Sequence, residues 1–133
     1  MSSQTKSLQR IVALQRQMYR ICEWEAVRLS GEAQALRTAR EDVLAALNND
    51  AHLQGLFVPE MARQLARIDT QYKKRQDELI QIRLKALDEA RRLKAAEVML
   101  NDARRLDEEQ RRKAQLADII EQDVMRHQGA SFP

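Results

Sequence analysis

The residues of this chain that could take part in chemistry are few and lie far apart in the sequence. The two histidines, His52 and His127, and the single cysteine, Cys22, lack the spacing of a metal site. Adjacent acidic residues such as Asp77 and Glu78 diverge in direction on a helix, so they do not suit general acid–base catalysis. No glycine-rich phosphate loop and no Gly-x-Ser-x-Gly motif occurs. The sequence therefore predicts no catalytic site, no cofactor and no metal, in a protein that is not an enzyme.

The composition is typical of long helices rather than of a globular core. Ala, Glu, Lys, Leu and Arg make up 68 of the 133 residues, as in coiled coils. The 23 basic and 20 acidic residues give a net charge of +3, and they alternate along the chain. Alternating charge indicates a solvated helix surface. A nucleic-acid-binding surface would concentrate basic residues on one face and carry aromatic residues for stacking, so we expect no nucleic-acid partner.

The sequence also bears on the compartment. The first residues lead into an amphipathic helix, and no apolar run has the length of a signal peptide or of a membrane span. A single cysteine cannot form an internal disulfide. We therefore expect a cytoplasmic protein that does not span a membrane.

A break in the middle of the chain separates two long helical segments. Gly55 interrupts the helix, and Pro59 suits the first turn of the helix that follows. Thr5 or Ser7 is predicted to cap the first helix. The tip residues Leu53, Leu56 and Phe57 are expected to close the end of the helix pair. The prediction is a single coiled-coil domain over residues 1–133, with helix 1 at about 5–48, a turn at 49–58, helix 2 at about 59–127 and a tail at 128–133.

Apolar residues recur at alternating steps of four and three residues in both segments. In the first segment ten of the twelve positions are apolar: Leu8, Val12, Gln15, Tyr19, Cys22, Ala26, Leu29, Ala33, Leu36, Arg40, Val43 and Leu47. In the second, eleven of thirteen are apolar: Met61, Leu65, Ile68, Tyr72, Arg75, Leu79, Ile82, Ala86, Glu89, Leu93, Ala96, Leu100 and Ala103. We call these positions the seam. A seam of this period predicts an all-α fold, in which two long helices form an antiparallel coiled-coil hairpin.

The second helix is predicted to extend beyond the first at its C-terminal end. A turn centred near Gln54 places Leu8 opposite Leu100, where the regular seam ends. Residues from about Asp102 to His127 then have no intramolecular partner over roughly 35–40 Å. Beyond Ala103 a weaker apolar stripe replaces the seam, and it consists of Leu106, Gln110, Lys113, Ala117, Ile120 and Val124.

Large apolar residues away from the seam form a second candidate site, which we call the waist. It consists of Leu14, Ile21, Trp24, Ile80, Leu84 and Leu87, with Ile11, Met18 and Val27 close by. Antiparallel pairing places Trp24 level with Leu84. Exposed apolar residues at one height predict a surface that another protein covers. The alternatives are self-association into a four-helix bundle, or a wider intramolecular core.

Four segments carry a resemblance to a known family. They are SLQRIVAL at residues 7–14, EWEAVRL at 23–29, GLFVPEM at 55–61, which leads into Leu65, Ile68, Tyr72 and QDEL at 76–79, and ARRLDEEQRR at 103–112. Their order along nearly the whole chain resembles the flagellar export protein FliJ family and its type III secretion counterparts. The resemblance implies a cytoplasmic, antiparallel coiled coil that serves as a stalk or escort in the bacterial protein export apparatus, at the inner face of the membrane through its partners.

The resemblance also implies partners and candidate binding regions. In that family the joined termini enter the ring of the export ATPase, the middle of the hairpin contacts the export gate, and export chaperones associate. On this chain Leu106, Ile120 and Val124 would belong to the ring-inserted end, and the waist would contact the gate or the chaperones. A monomer is favoured. The alternative is a homodimeric coiled-coil scaffold without an ATPase partner.

Overall fold

The computed structural model describes residues 1–49 and 57–130 of the chain. They form two helices, α1 (Ser3–Asn49) and α2 (Val58–Ala130), and no strand occurs in these ranges. The two helices pack against each other, which confirms the predicted all-α helical hairpin, and their bounds agree with the prediction to within three residues. Most of the predicted turn, with His52, Leu53, Gly55 and Leu56, lies outside the described residues, as do residues 131–133 of the predicted tail.

The helix starts have a local explanation. The hydroxyl of Ser2 accepts a hydrogen bond of 3.1 Å from the main-chain nitrogen of Thr5, as an N-cap residue does. The predicted cap at Thr5 or Ser7 was therefore wrong. At the start of α2, the main-chain nitrogen of Met61 donates to the carbonyl of Phe57 at 2.9 Å. Phe57 itself is exposed, so it does not close the seam as expected.

Burial along both helices follows the predicted seam. All thirteen seam positions of α2 are buried or half-buried, and so are eleven of the twelve in α1. The one exception is Arg40, which is exposed. A seven-residue repeat in the sequence is thus sufficient to identify the face of each helix that packs on the other.

The helix pair divides into two compact units. Unit 1 comprises residues 1–16 and 92–133. Its core is a buried cluster in which Leu8 and Leu100 take part together, as the predicted pairing requires; the other members are Val12, Ala96 and Ala103, with Leu93 packed against them. Arg16 on α1 also forms an ion pair with Glu97 on α2, with Nη2 and Oε1 3.3 Å apart.

Unit 2 comprises residues 17–91. Its buried residues include Cys22, Leu29, Ala33, Ile68, Leu79 and Glu89. Ion pairs also join the described parts of the helices: Arg40 Nε lies 2.9 Å from Asp69 Oδ1, and Arg75 Nε lies 2.8 Å from Glu32 Oε2. Both arginines occupy polar positions of the predicted seam, so charge pairing across the seam takes the place of apolar packing there.

The exposed end of α2 begins later than predicted. Asp107 accepts hydrogen bonds from the nitrogen of Ser2 at 3.2 Å and from the hydroxyl of Thr5 at 2.7 Å, and Ala103 belongs to the buried cluster. The prediction that residues from Asp102 lack a partner was therefore wrong by about five residues. Its cause is physical: the last contacts between the helices are polar, and an apolar stripe does not reveal them.

Residues 108–129 are all exposed, and we call them the C-terminal extension. Twenty-two helical residues correspond to roughly 33 Å. Among the described residues, neither helix has a segment long and apolar enough to cross a membrane.

Candidate protein-interaction surfaces

In residues 1–49 and 57–130 no three His, Cys, Asp or Glu side chains come close enough together to hold a metal ion. The thiol of Cys22 is buried in the seam, where it packs as a small apolar side chain. His127 is exposed on the C-terminal extension.

All six predicted waist residues are exposed. Leu14 belongs to unit 1, and the other five belong to unit 2: Ile21, Trp24, Ile80, Leu84 and Leu87. The Trp24 side chain is 67% exposed, so the largest apolar side chain of the protein lies on its surface. None of these residues contributes to the buried core of the hairpin.

Two waist residues of unit 2, Trp24 and Leu84, lie level with each other. Arg75 of α2 is paired with Glu32 of α1. Trp24 lies eight residues before Glu32, and Leu84 lies nine residues after Arg75. Since the helices are antiparallel and rise about 1.5 Å per residue, Trp24 and Leu84 differ in height by only about 2 Å.

Trp24 and Leu84 nevertheless face opposite sides of the helix pair. Trp24 is midway between the seam residues Cys22 and Ala26, and Leu84 is midway between Ile82 and Ala86. This is the heptad position farthest from the partner helix. Because each side chain points away from the other helix, no single flat partner can cover both residues.

Each helix adds further apolar residues around these two. On α1, steps of three residues give a continuous exposed ridge of Met18, Ile21, Trp24 and Val27. On α2, Ile80, Leu84 and Leu87 are separated by steps of four and three, the spacing of the seam itself. Apolar rows with these spacings can pack against a helix of another molecule.

A groove of about 870 Å³ lies between the helices of unit 2. The seam residues Leu29 and Ile82 contribute to its lining, together with charged and polar residues: Glu25, Thr70, Lys73, Lys74, Asp77, Glu78, Gln81 and Lys85. The sequence reasoning missed this groove. Residue types alone gave no signal for it, because such a groove depends on the space that neighbouring side chains leave.

An ion-pair network borders this groove and joins the two helices. Arg28 pairs with Glu25 and, at 2.8 Å, with Glu32, and these carboxylates raise the pKa of the Arg28 guanidinium, Glu25 most strongly. Glu32 pairs in turn with Arg75, whose Nη1 lies 3.5 Å from Glu78. The pair of Glu32 and Arg75 is the link of this network between α1 and α2, and it agrees with the register that the seam predicts.

The N-terminal end of α1 is attached to α2 by a small polar cluster. Thr5 is fully buried, and its hydroxyl oxygen lies 2.8 Å from the hydroxyl of Ser2 and donates to Asp107. The hydrogen bond from Thr5, followed by the one from the nitrogen of Ser2, lowers the pKa of the Asp107 carboxyl. A carboxylate of α2 thus accepts a main-chain hydrogen bond at the N-terminus of α1, where a negative charge is favourable.

The C-terminal extension carries more apolar surface than the predicted stripe. Leu106, which lies two residues before the extension, is exposed, and so are the predicted residues Ile120 and Val124 within it. Three further large apolar residues are exposed on the same stretch, namely Leu116, Ile119 and Met125. The predicted stripe did not include these three residues, because its steps of four and three residues were counted from Leu106. The centre of the apolar face is formed instead by Leu116, Ile119 and Ile120.

Comparison of the chain with protein-family models, with curated proteins and with solved structures finds no match. The interpretation of these surfaces therefore depends on their geometry and on the sequence resemblance.

Proposed function

We propose that this protein is a non-enzymatic stalk or escort component of a bacterial flagellar or other type III protein export apparatus. One observation carries the proposal: the 22 residues of α2 from 108 to 129, which follow the hydrogen bond between Thr5 and Asp107, are all exposed. A single helix of this length is marginally stable in water and gains from a protein that surrounds it. Its exposed leucine, isoleucine and valine side chains supply the apolar contacts.

The mechanism assigns the C-terminal extension to the ring of an export ATPase. An asymmetric helical segment inside a ring contacts the subunits unequally, so it stabilises one subunit conformation more than the others. Leu106, Ile120 and Val124 would contact the ring, as the resemblance implies. The cluster of Ser2, Thr5 and Asp107 supports this arrangement, because it keeps the start of α1 at the base of the extension.

The waist would form a second contact, with the export gate or with export chaperones. The ridge around Trp24 and the row around Leu84 face opposite sides at one height. Unit 2 can therefore hold two helical partners at once, one on each side. Such partners would bring the protein, located in the cytoplasm, to the inner face of the membrane.

The discriminating experiment measures turnover by the export ATPase of the same organism with and without this protein. We expect stimulation, and we expect its loss in a variant with Leu106, Ile120 and Val124 all changed to serine. The matched control changes three exposed waist residues, Ile80, Leu84 and Leu87, to serine and should stimulate as the unchanged protein does. Absence of both binding and stimulation with the unchanged protein would overturn the proposal.

A homodimeric coiled-coil scaffold is the second candidate, and the row of Ile80, Leu84 and Leu87 favours it. A four-helix bundle formed by two hairpins would cover this row. Such a scaffold would be a stable dimer that dissociates when these residues are changed to serine, and it would not alter the rate of any ATPase. Light scattering on the unchanged protein and on the triple variant separates the two candidates.

A further inference from the structure

The charges of the C-terminal extension are arranged in blocks of alternating sign around an apolar centre. In chain order the blocks are Glu108 and Glu109, then Arg111, Arg112 and Lys113, then the apolar Leu116, Ile119 and Ile120, then Glu121 and Asp123, then Arg126 and His127. Asp118 lies within the apolar centre in the sequence but on the opposite face of the helix. Read in the reverse direction, each acidic block falls on a basic block and the apolar centre falls on itself. A second copy of this helix, running antiparallel, is therefore complementary to the first.

One face of the helix presents this pattern. Steps of four and three residues from Glu109 select six exposed positions: Glu109, Lys113, Leu116, Ile120, Asp123 and His127. These steps repeat every seven residues, which is the spacing that keeps one face of a helix directed at a partner helix. Ile119 and Val124 flank the face and add apolar surface next to Leu116 and Ile120.

We propose that the C-terminal extension pairs with the same extension of a second copy of this chain, as an antiparallel two-helix coiled coil. Leu116 of each copy then packs on Ile120 of the other. Lys113 faces Asp123 of the second copy, and Glu109 faces His127 of the second copy. The arrangement has twofold symmetry, so each of these contacts occurs twice.

The charges also exclude the competing arrangements. A parallel pair would place Lys113 against Lys113 and Asp123 against Asp123, and like charges at such positions are destabilising. An antiparallel pair shifted by seven residues in one direction would place Lys113 on Leu116, and in the other direction Ile120 on Asp123. Of these arrangements, only the antiparallel register centred between Leu116 and Ile120 matches apolar with apolar residues and Lys113 with Asp123.

The overlap from Glu109 to His127 covers 19 residues, or roughly 28 Å of helix. Two apolar layers, two ion pairs between Lys113 and Asp123, and two contacts between Glu109 and His127 correspond to a small interface, so the dimer should be weak and depend on protein concentration. The inference goes beyond the proposed function. A ring that encloses the extension would compete with the second copy, and the dimer would be the form of the protein that has no ATPase bound.

Sedimentation velocity of the full chain over a series of concentrations measures the pairing directly. Lys113→Glu places an acidic side chain against Asp123 of the second copy, and Asp123→Lys places a basic side chain against Lys113 of the second copy. Each change should weaken dimerisation by about tenfold or more, since two charge pairs per dimer become repulsive. The double variant, Lys113→Glu with Asp123→Lys, exchanges the two charges and should restore the dimer.

Matched controls lie on the opposite face of the same helix segment. Arg111→Glu and Asp118→Lys make the same changes in charge at exposed positions that face away from the proposed contact, and they should leave dimerisation unchanged. Circular dichroism of every variant establishes that the helices remain formed.

Three outcomes would overturn the inference. They are a protein that stays monomeric at all accessible concentrations, a double variant that remains as weak as the single ones, and control variants that weaken the dimer equally. None of these outcomes bears on ATPase stimulation, which a monomer can provide. Conversely, a dimer restored by the charge exchange would stand even if no export ATPase responds to the protein.

Discussion

The hydroxyl of Thr5 donates a hydrogen bond of 2.7 Å to Oδ2 of Asp107, which attaches the first turn of α1 to α2 at the point where the exposed extension begins. Thr5 is fully buried although it is polar. The same carboxylate accepts a hydrogen bond from the main-chain nitrogen of Ser2. Polar contacts thus determine where the helix pair ends and how much of α2 is left for other molecules.

Replacing Thr5 with valine should loosen this end of the protein. Valine keeps the shape of the side chain but cannot donate to Asp107, so the free energy of unfolding should fall by about 1 kcal/mol. Chemical denaturation monitored by circular dichroism measures the change. Thr38→Val on the exposed surface of α1 is the matched control and should be neutral. Equal stabilities of the two variants would contradict the role of the hydrogen bond.

Acid should release the same contact. The hydrogen bonds from Thr5 and Ser2 lower the pKa of Asp107 below its ordinary value of 3.8. A lowered pKa in the folded state means that the ionised carboxyl stabilises the contact. That stabilisation is complete above the ordinary pKa and is lost as the pH falls through the lowered pKa. Amide hydrogen exchange at residues 5–12, corrected for intrinsic rates, should therefore accelerate relative to the rest of α1 only in strongly acidic solution.

The Asp107→Asn variant provides the control for this pH dependence. Asparagine at this position has no proton to gain, so the specific acceleration at residues 5–12 should be absent. An acid-induced acceleration of the same size in the variant would show that another carboxyl is responsible.

Truncation of a leucine to alanine should lower the free energy of unfolding strongly in the seam but hardly at all in the waist. Leu29→Ala removes a buried seam side chain and should lower the free energy of unfolding by about 2–5 kcal/mol. Leu84→Ala truncates an exposed side chain of the same type, and the change should stay within about 0.5 kcal/mol. Thermal and chemical denaturation of the two variants decide the point. A large loss of stability in Leu84→Ala would place this residue in the core instead.

The sequence alone was sufficient to predict the helix pair and its buried face, because burial in a coiled coil repeats every seven residues. Cys22, Leu29 and Leu79 are buried where the stepping placed them. It was also sufficient to recognise Trp24 and Leu84 as exposed. The contact between Thr5 and Asp107 escaped prediction, because a hydrogen bond between side chains about a hundred residues apart leaves no periodic pattern in the sequence.

The arrangement of the candidate sites could be predicted only in part. The height of Trp24 relative to Leu84 follows from antiparallel pairing, and the pair of Glu32 and Arg75 agrees with it. The opposite directions of these two side chains also follow from the heptad register. They become apparent only when the position of each residue around its helix axis is compared with the seam. The groove over Leu29 and Ile82 depends on the space that neighbouring side chains leave, which residue types alone do not specify.

The opposite orientation of Trp24 and Leu84 predicts that the two sides of the waist bind independently. Trp24→Ala should weaken one helical partner, and Leu84→Ala should weaken another, while helicity stays nearly unchanged in both variants. Isothermal titration of each variant with export chaperones and with the cytoplasmic part of the export gate gives the two affinities. Truncation of an apolar side chain at the centre of an interface costs about 1–4 kcal/mol, a loss in affinity of roughly five-fold to several hundred-fold. If both substitutions weaken the same partner equally, that partner surrounds the helix pair, and the two sides do not act separately.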